Sequence, residues 1–458
     1  MSASRLLVSG IAWLIDFDDA DSADTADAAD TAGSTDSAVS APSAAPTVRS
    51  GVDLLIEDGR VVEVGVGLCA GTAGADGADE GIEVIDASRH VVLPGFVDTH
   101  RHLWLTALRA LTTETDLGGY LELVAGRLGP RFTPDDLRAS TYFGALECLD
   151  AGVTTVQDFA HAMRSPDHAD AAVAALEASG IRAVFGYGFP VFGTSRDLAD
   201  IRRVRERYFA SDAGLLSMAL APMGPSYSPI EAVREDWRLA RELDIPIAVH
   251  VGAGPVAERP IETLEREGLL APGTVYVHGN SLPDEELRLI ASSGGSVAIA
   301  PAVEAQMGHG APMIGRLRAV GVGHGLGVDV VTATAGDMFT LMRAALVTGY
   351  LGEGSRPGPA DVLRAATLGG AEILGLADQV GSLRPGKRAD LVLLRADAPN
   401  LVPLHHDPVG TVVSSAHAGN VDTVVVDGRV VKRDGILLSD GVPGAREALL
   451  DVASRIVR

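Results

Sequence analysis

The sequence LPGFVDTHRH, residues 93–102, contains the first of a series of predicted strands and the first pair of candidate functional residues. It opens with a short apolar run and ends on His100 and His102, which are two positions apart. Side chains two positions apart in a strand point to the same side, so the two imidazoles are expected to converge. Such a pair suits Zn²⁺ or Fe²⁺, although a His-x-His pair alone also occurs by chance in proteins that bind no metal.

From Pro94 onward, short apolar runs alternate with amphipathic stretches of helical period. Alternating strands and helices are typical of parallel βα units, and eight such units close a barrel. The pattern therefore predicts an α/β fold with a (β/α)8 TIM-type barrel over residues 94–387. The eight predicted strands are 95–98, 154–158, 183–186, 216–221, 245–251, 274–278, 296–300 and 323–329.

Both ends of the chain have β-type patterning. The predicted strands after the barrel are 390–394, 409–414 and 421–426. We expect residues 1–93 and 388–440 to form one small β-sandwich from both termini, and residues 441–458 to form a C-terminal helix. Residues 16–48 are rich in Asp, Ala, Ser and Thr and poor in large apolar side chains, so a flexible acidic insertion is expected there.

Polar residues stand at the carboxyl ends of several predicted barrel strands, where the active sites of such barrels lie. His250 ends the fifth strand, His278 the sixth and Asp329 the eighth. Each residue alone has an ordinary explanation, since a strand-end histidine is often a hydrogen-bonded polar group and an aspartate often a cap. Their joint placement with the first-strand histidines predicts a metal site.

Composition limits the class of partner. Hydrophobic residues make up 47% of the chain, enough for a large core, but no apolar run reaches the ~18 residues of a membrane helix. The formal net charge of −24 argues against a nucleic-acid or anionic-membrane partner. The chain has two cysteines, Cys69 and Cys148, which fits a reducing cytoplasm and predicts a cytoplasmic protein.

Beyond these patterns, the sequence resembles the amidohydrolase superfamily, in the branch of cytosine deaminases, guanine-type deaminases and triazine hydrolases. The resemblance covers nearly the whole chain outside two low-complexity loops. Its motifs are LPGFVDTHRH, GVTTVQDF, ALAPMGPSYSP, GVDVVTATAGDMFTLMRAAL and AATLGGAEILGLADQVGSLRPGKRADLVLL, in this order.

The resemblance implies that His100, His102, His250 and Asp329 ligate one divalent ion, with Zn²⁺ expected and Fe²⁺ or Mn²⁺ as alternatives. It implies that Asp329 transfers protons and that His278 hydrogen-bonds the reacting water or the substrate. Binuclear relatives use a carboxylated lysine on the fourth strand, but both lysines of this chain lie beyond the predicted barrel strands, so one ion is expected. Many relatives form dimers, and a homodimer is a further expectation.

The chain departs from the family pattern near its fifth and seventh strands. Ala253 stands where deaminases of this branch usually carry a proton-shuttling glutamate, and Glu258 is better explained as a helix-start charge. Glu304 and His309 follow the seventh strand and are candidates for substrate contact, with solvated loop positions as the alternative. Arg101, like Arg109, is a candidate to meet a substrate carboxylate, with a salt bridge as the alternative.

These features predict a metal-dependent hydrolase of carbon–nitrogen bonds. The first hypothesis is hydrolysis of an amide or amidine in a small molecule or a modified peptide, as in a bottromycin-type peptide-maturing enzyme of natural-product biosynthesis. The second hypothesis is a deaminase or dehalogenase of a nitrogen heterocycle of the cytosine, guanine or triazine type. The third is a catalytically inactive scaffold, which the retained metal histidines disfavour.

Overall fold

The computed structural model describes residues 5–17, 45–68, 81–192, 196–211, 214–254 and 256–458. Nineteen strands lie within these ranges: β1 Arg5–Ile11, β2 Trp13–Asp16, β3 Thr47–Arg49, β4 Val52–Glu57, β5 Arg60–Gly65, β6 Ile82–Asp86, β7 His90–Pro94, β8 Phe96–Arg101, β9 Val153–Ala160, β10 Arg182–Gly188, β11 Leu216–Ala221, β12 Ala248–Val251, β13 Val275–His278, β14 Ser296–Ile299, β15 Gly323–Leu326, β16 Leu391–Arg395, β17 Val421–Val426, β18 Arg429–Arg433 and β19 Ile436–Leu437.

The central barrel consists of eight parallel strands, β8 to β15. Four of them pair in the order β11-β10-β9-β8 and four in the order β12-β13-β14-β15. Backbone bridges between Leu220 and Ile247 and between Arg101 and Asp329 join these two halves in parallel. The predicted TIM-type barrel is therefore confirmed, and its closure brings the ends of the first and last strands together.

Helices connect the barrel strands and cover their outer surface. The α-helices of the described residues are Leu117–Tyr120, Pro134–Asp150, Pro166–Ser179, Leu198–Tyr208, Gly224–Tyr227, Ile230–Leu243, Pro260–Arg266, Asp284–Ser292, Pro301–Met307, Ile314–Val320, Met338–Leu351, Pro359–Ala365, Leu368–Ile373, Pro408–Ser415 and Val442–Ile456. Leu121–Leu128 is a π-helix, and short 3-10 helices span Leu103–Leu108, Gly129–Arg131 and Ala418–Asn420. The helix Pro134–Asp150 begins with a capping box between Thr133 and Asp136, which satisfies backbone donors at its start.

The two termini meet in a pair of β-sheets beside the barrel. One sheet has the order β5-β4-β1-β6, and the other has the order β19-β18-β17-β16-β7-β2-β3. In the second sheet β7 pairs with β2 in parallel and with β16 in an antiparallel sense, so that N-terminal and C-terminal strands lie side by side. Buried side chains of both sheets, among them Leu14, Leu54 and Leu391, form a common apolar core.

Two sequence-based expectations need correction. The predicted strand 409–414 is the helix Pro408–Ser415, because Asp407 caps its first turn by accepting a hydrogen bond from Gly410 N at 2.8 Å and Pro408 suits its first position. The predicted insertion 16–48 includes residues at both ends that belong to strands, because Asp16 in β2 pairs with Thr47 in the antiparallel strand β3. Residues 18–44 lie outside the described residues.

Among the helices that the structure describes, none combines the length and the apolar character that crossing a bilayer requires.

Candidate metal centre

His100 and His102 enter the barrel from the end of its first strand. Both side chains are buried, and their ring centroids lie 5.0 Å apart. His102 Nδ1 lies 2.9 Å from the carbonyl oxygen of Phe159, and donating a proton there leaves Nε2 with a free lone pair. This tautomer suits an imidazole that binds a cation through Nε2, since the second nitrogen fixes the ring orientation.

Asp329 reaches the same point from the segment that follows β15, the eighth strand of the barrel. The strand stops at Leu326, and Asp329 has a left-handed backbone with φ of 65°, which is uncommon for a residue other than glycine. Two backbone hydrogen bonds hold it beside the first strand, from Asp329 N to the His100 carbonyl at 2.7 Å and from His102 N to the Asp329 carbonyl at 2.9 Å. The strained backbone thus turns its carboxylate toward the histidines.

The side chains of five predicted site residues lie together at this end of the barrel. Asp329 Oδ1 is 3.2 Å from His100 Nε2 and 3.4 Å from His102 Nε2. His250 stacks against His102, and His278 Nε2 lies 3.9 Å from Asp329 Oδ2. Within each of two overlapping groups, the possible ligand atoms lie within 4.8 Å of one another; the groups are His100, His102 and His250, and His100, His278 and Asp329.

The charge states of these groups fit a divalent cation. Burial is the main cause that lowers the pKa of His100, His102 and His250, so their imidazoles are neutral and keep a lone pair for a metal. Burial opposes ionisation of Asp329, but His100, His278 and His102 outweigh it and hold the pKa of the carboxyl well below its ordinary range. The ionised carboxyl of Asp329 and the histidines grouped with it at this end of the barrel therefore form a candidate metal centre.

Glu304 lies behind His278, on the helix after the seventh strand. Its Oε1 is 3.2 Å from His278 Nδ1 and accepts a hydrogen bond from Ala300 N at 2.7 Å, while Oε2 accepts one from Asn280 Nδ2 at 3.2 Å. Burial opposes the charged form of His278, but this hydrogen bond and the charges of Asp329 and Glu304 raise its pKa. Glu304 is thus placed to orient His278 and does not line the cavity over the centre.

His309 lies in the wall of that cavity. It is 2% exposed, and its ring centroid is 4.7 Å from that of His278. Neither ring nitrogen has a hydrogen-bond partner within the described part of the chain. Burial lowers the pKa of His309 to about 4, so the ring is neutral near pH 7 and offers one donor and one acceptor to a bound molecule.

Three further cavity residues were missed by sequence reasoning: His161, Tyr120 and Arg164. His161 follows the second strand directly, and its ring lies 5.2 Å from His250 between centroids. It fits because Gly188 leaves the space, since a Cβ atom there would lie 1.9 Å from His161 Cδ2. The strand-end rule that found His250 would have found His161 if it had been applied to the second strand.

Arg101 does not contact this cavity, which corrects the expectation that it meets the substrate. Its guanidinium is buried on the other side of the strand, where it donates to Glu147 at 2.8 Å and to the Gly336 carbonyl at 2.9 Å. Glu258 is exposed on the surface. Ala253 is buried after the fifth strand, so no carboxylate occupies the position of the usual glutamate.

Comparison with known proteins defines the class of this chain. The amidohydrolase family model matches residues 91–431. The chain is also 31% identical over 427 residues to a 5-methylthioadenosine/S-adenosylhomocysteine deaminase from Symbiobacterium thermophilum. This alignment covers 88% of this chain and 94% of that protein. This chain belongs to the amidohydrolase family and is a hydrolase that acts on carbon–nitrogen bonds, as the sequence predicted.

Solved structures agree with this assignment. An adenosine deaminase from Xanthomonas campestris with bound zinc superposes with a TM-score of 0.81 at 25% identity, over 90% of this chain and 95% of that one. An atrazine chlorohydrolase from Arthrobacter aurescens, complexed with zinc, superposes with a TM-score of 0.80 over 98% of this chain and 100% of that one. At 22% identity, the second likeness shows the fold alone.

The comparisons also rank the functional hypotheses. Relatives named as deaminases favour the second hypothesis, action on a nitrogen heterocycle, over the first. The expectation of a modified peptide substrate, and of a bottromycin-type role with it, has no support from these relatives.

Proposed function

We propose that this protein is a metal-dependent deaminase that removes an exocyclic amino group from a nitrogen heterocycle. The observation that carries the proposal is the pair of overlapping groups of possible metal ligands at this end of the barrel, which are His100, His102 and His250, and His100, His278 and Asp329. The deaminase names of its relatives and the apolar and aromatic walls of the cavity, such as Trp104 and Tyr227, support a flat heteroaromatic substrate.

We infer that His100, His102, His250 and Asp329 hold one ion and that the ion is zinc. A divalent ion held there supplies Lewis acidity and lowers the pKa of a bound water toward about 7. The fourth barrel strand, Leu216–Ala221, contains no lysine that could bridge a second ion after carboxylation, which supports a single one.

Protons then move through side chains of this chain. In the proposed reaction a water adds to the ring carbon that bears the amino group, the carbon–nitrogen bond breaks, and ammonia leaves. Asp329 accepts the proton of the attacking water and passes it to the leaving nitrogen. His278, held by Glu304, fixes the water by a hydrogen bond.

His309 is proposed to serve the ring nitrogen in place of the absent glutamate. It lines the cavity beside His278, and within the described residues its two nitrogens have no competing partner. A neutral imidazole can donate a hydrogen bond to a ring nitrogen and so favour the attack on the adjacent carbon.

Release of ammonia tests this proposal. Zinc-loaded protein is incubated with adenosine, 5′-methylthioadenosine, cytosine, guanine and an amino-triazine, and ammonia is measured alongside the Asp329→Ala variant. Metal-dependent ammonia release that is lost in the variant supports a deaminase. Absence of ammonia from every heterocycle, together with hydrolysis of simple amides or amidines, would favour the first hypothesis in its place.

A further inference from the structure

Beyond the candidate metal centre, much of the cavity wall is apolar. Its apolar lining includes Leu117, Leu121, Ala125, Pro190, Val191 and Met223, with Tyr120 and Tyr227 among the polar members. Among the described residues that line it, Arg164 is the only arginine or lysine and Asp329 the only carboxylate. A positive charge therefore faces a space in which the described lining residues offer no counter-charge outside the candidate metal centre.

Arg164 makes no hydrogen bond or ion pair with any described residue, and its Nε is buried without a partner. The two fully buried arginines among the described residues are paired: Arg101 with Glu147, and Arg182 with Asp390 through two hydrogen bonds. Leaving a guanidinium partly desolvated without an anion costs free energy, and arginines are seldom buried unless they are paired. Arg164 therefore differs from these two arginines in that no described side chain supplies its counter-charge.

The position of Arg164 relates it to the site. It lies in the loop between β9, which ends at Ala160, and the helix Pro166–Ser179. His161, beside His250, is three residues earlier, so the Cα atoms of His161 and Arg164 are at most about 11 Å apart. A single small molecule can therefore reach both the metal centre and the guanidinium.

We propose that Arg164 binds an anionic oxygen group of the substrate, a carboxylate or a phosphate, and so selects heterocycles that carry one. This inference rests on the proposed deaminase function, because it places the amino-bearing ring at the metal centre and the anion at the outer end of the cavity. Guanidinium groups match both anions through paired, charge-assisted hydrogen bonds.

Electrostatics supports this placement. Burial lowers the pKa of Arg164 from its ordinary value, since no acidic neighbour offsets the loss of hydration. A bound anion would supply that missing charge. Asp329 is the only carboxylate among the described lining residues, so no other acidic side chain of that lining would repel an anion at Arg164.

Binding of matched ligand pairs tests the proposal. Dissociation constants for zinc-loaded protein are measured by calorimetry with adenosine, adenosine 5′-carboxylate and adenosine 5′-monophosphate, and with cytosine and cytosine-5-carboxylate. At least one anionic ligand is expected to bind roughly tenfold to a hundredfold more tightly than its neutral partner. Comparison of the dissociation constants of the carboxylate and phosphate ligands shows which anion binds more tightly.

Variants then assign the preference to Arg164. Arg164→Met should abolish it, Arg164→Lys should keep part of it, and Arg127→Met, which removes an exposed arginine near the cavity, should leave it unchanged. A preference that survives in Arg164→Met would place the anion elsewhere, for example on the metal, and would overturn the proposal. So would the absence of tighter binding by every anionic ligand. Failure of the deaminase function is a separate result, because it removes ammonia release and leaves the binding preference intact.

Discussion

His278 Nδ1 lies 3.2 Å from Glu304 Oε1, and this contact directs the opposite edge of the His278 ring toward Asp329. Glu304 is itself held by the backbone of Ala300 and the side-chain amide of Asn280. The pair joins the ends of the sixth and seventh strands across the site. A carboxylate behind a functional histidine fixes the orientation and the basicity of the imidazole.

Glu304→Gln should lower kcat by roughly tenfold to a hundredfold, the usual effect of losing such an outer partner. Glutamine can still accept the hydrogen bond of Ala300 N, so the backbone is kept, but the negative charge that raises the pKa of His278 is lost. Steady-state kinetics on any substrate that releases ammonia measures the effect, and elemental analysis should find the metal content unchanged.

Glu258→Gln is the matched control for that variant. Glu258 is exposed, so the same change of charge there should leave kcat near the wild-type value. Equal activity of Glu304→Gln and wild type would remove the orienting role of Glu304. Loss of the metal in Glu304→Gln would indicate that Glu304 is a metal ligand. Loss of activity in Glu258→Gln would indicate that Glu258 is the missing proton shuttle.

Removal of a proposed ligand should remove the metal. Purified wild type is expected to hold about one zinc or iron per chain, and His250→Ala or Asp329→Ala should each lose most of it together with turnover. His405→Ala, which removes an exposed histidine, should retain both. Elemental analysis after zinc reconstitution decides the matter. A fully active, metal-bearing Asp329→Ala variant is incompatible with the site described above.

The strand period explains which part of the site could be predicted from the sequence. Side chains alternate along an extended chain, so His100 near the end of β8 and His102 just after it point to one side and Arg101 to the other. In the structure the two histidines are buried side by side at the candidate metal centre, whereas Arg101 pairs with Glu147 on the other side of the strand. The expectation that Arg101 meets the substrate ignored the same period that had correctly paired the histidines.

Nonlocal contacts explain what could not be predicted. The eighth strand was expected to run to Asp329 but ends at Leu326, because Asp329 is held in its left-handed conformation by backbone hydrogen bonds to His100 and His102. These partners are far away in the sequence. Arg164 was missed for a related reason, since the shape of the loop after the second strand depends on how the whole barrel mouth packs.

Replacing residues 18–44 by a short glycine-containing turn should leave folding and activity nearly unchanged. The strands on either side, Trp13–Asp16 and Thr47–Arg49, already pair with each other, so Asp16 and Thr47 lie only about 5 Å apart between Cα atoms. A short turn can close this gap, and the entropy cost of closing a loop rises only slowly with its length.

Melting temperature and turnover of the shortened chain measure this prediction. Both should match the full chain closely, because Asp16 and its hydrogen bonds to Leu383 N are retained. A further deletion that removes Thr47–Arg49 as well serves as the contrast, since it takes away an edge strand of the seven-stranded sheet and should lower the melting temperature. If both deletions lowered the melting temperature equally, the pairing of Trp13–Asp16 with Thr47–Arg49 at the ends of the insertion would be contradicted.

Asp158 carries an unusual carboxyl group beneath the site. It is fully buried, its Oδ1 accepts a hydrogen bond from Leu103 N at 3.0 Å, and its Oδ2 has no partner in the described part of the chain. Burial raises the pKa of Asp158 to about 7, more than the Leu103 amide and Arg101 lower it. The folded state therefore keeps a proton that the unfolded chain, with a pKa of about 4, releases.

Stability gained from this proton is complete below about pH 4 and is lost as the pH rises through about 7. Asp158→Asn stays neutral throughout, so its free energy of unfolding relative to wild type should rise by on the order of 4 kcal/mol between about pH 4 and about pH 8. Urea unfolding of EDTA-treated protein measures the difference without a nearby cation, and Glu258→Gln should show no such trend. Parallel pH curves for Asp158→Asn and wild type would mean that Asp158 is already ionised in the folded protein at low pH.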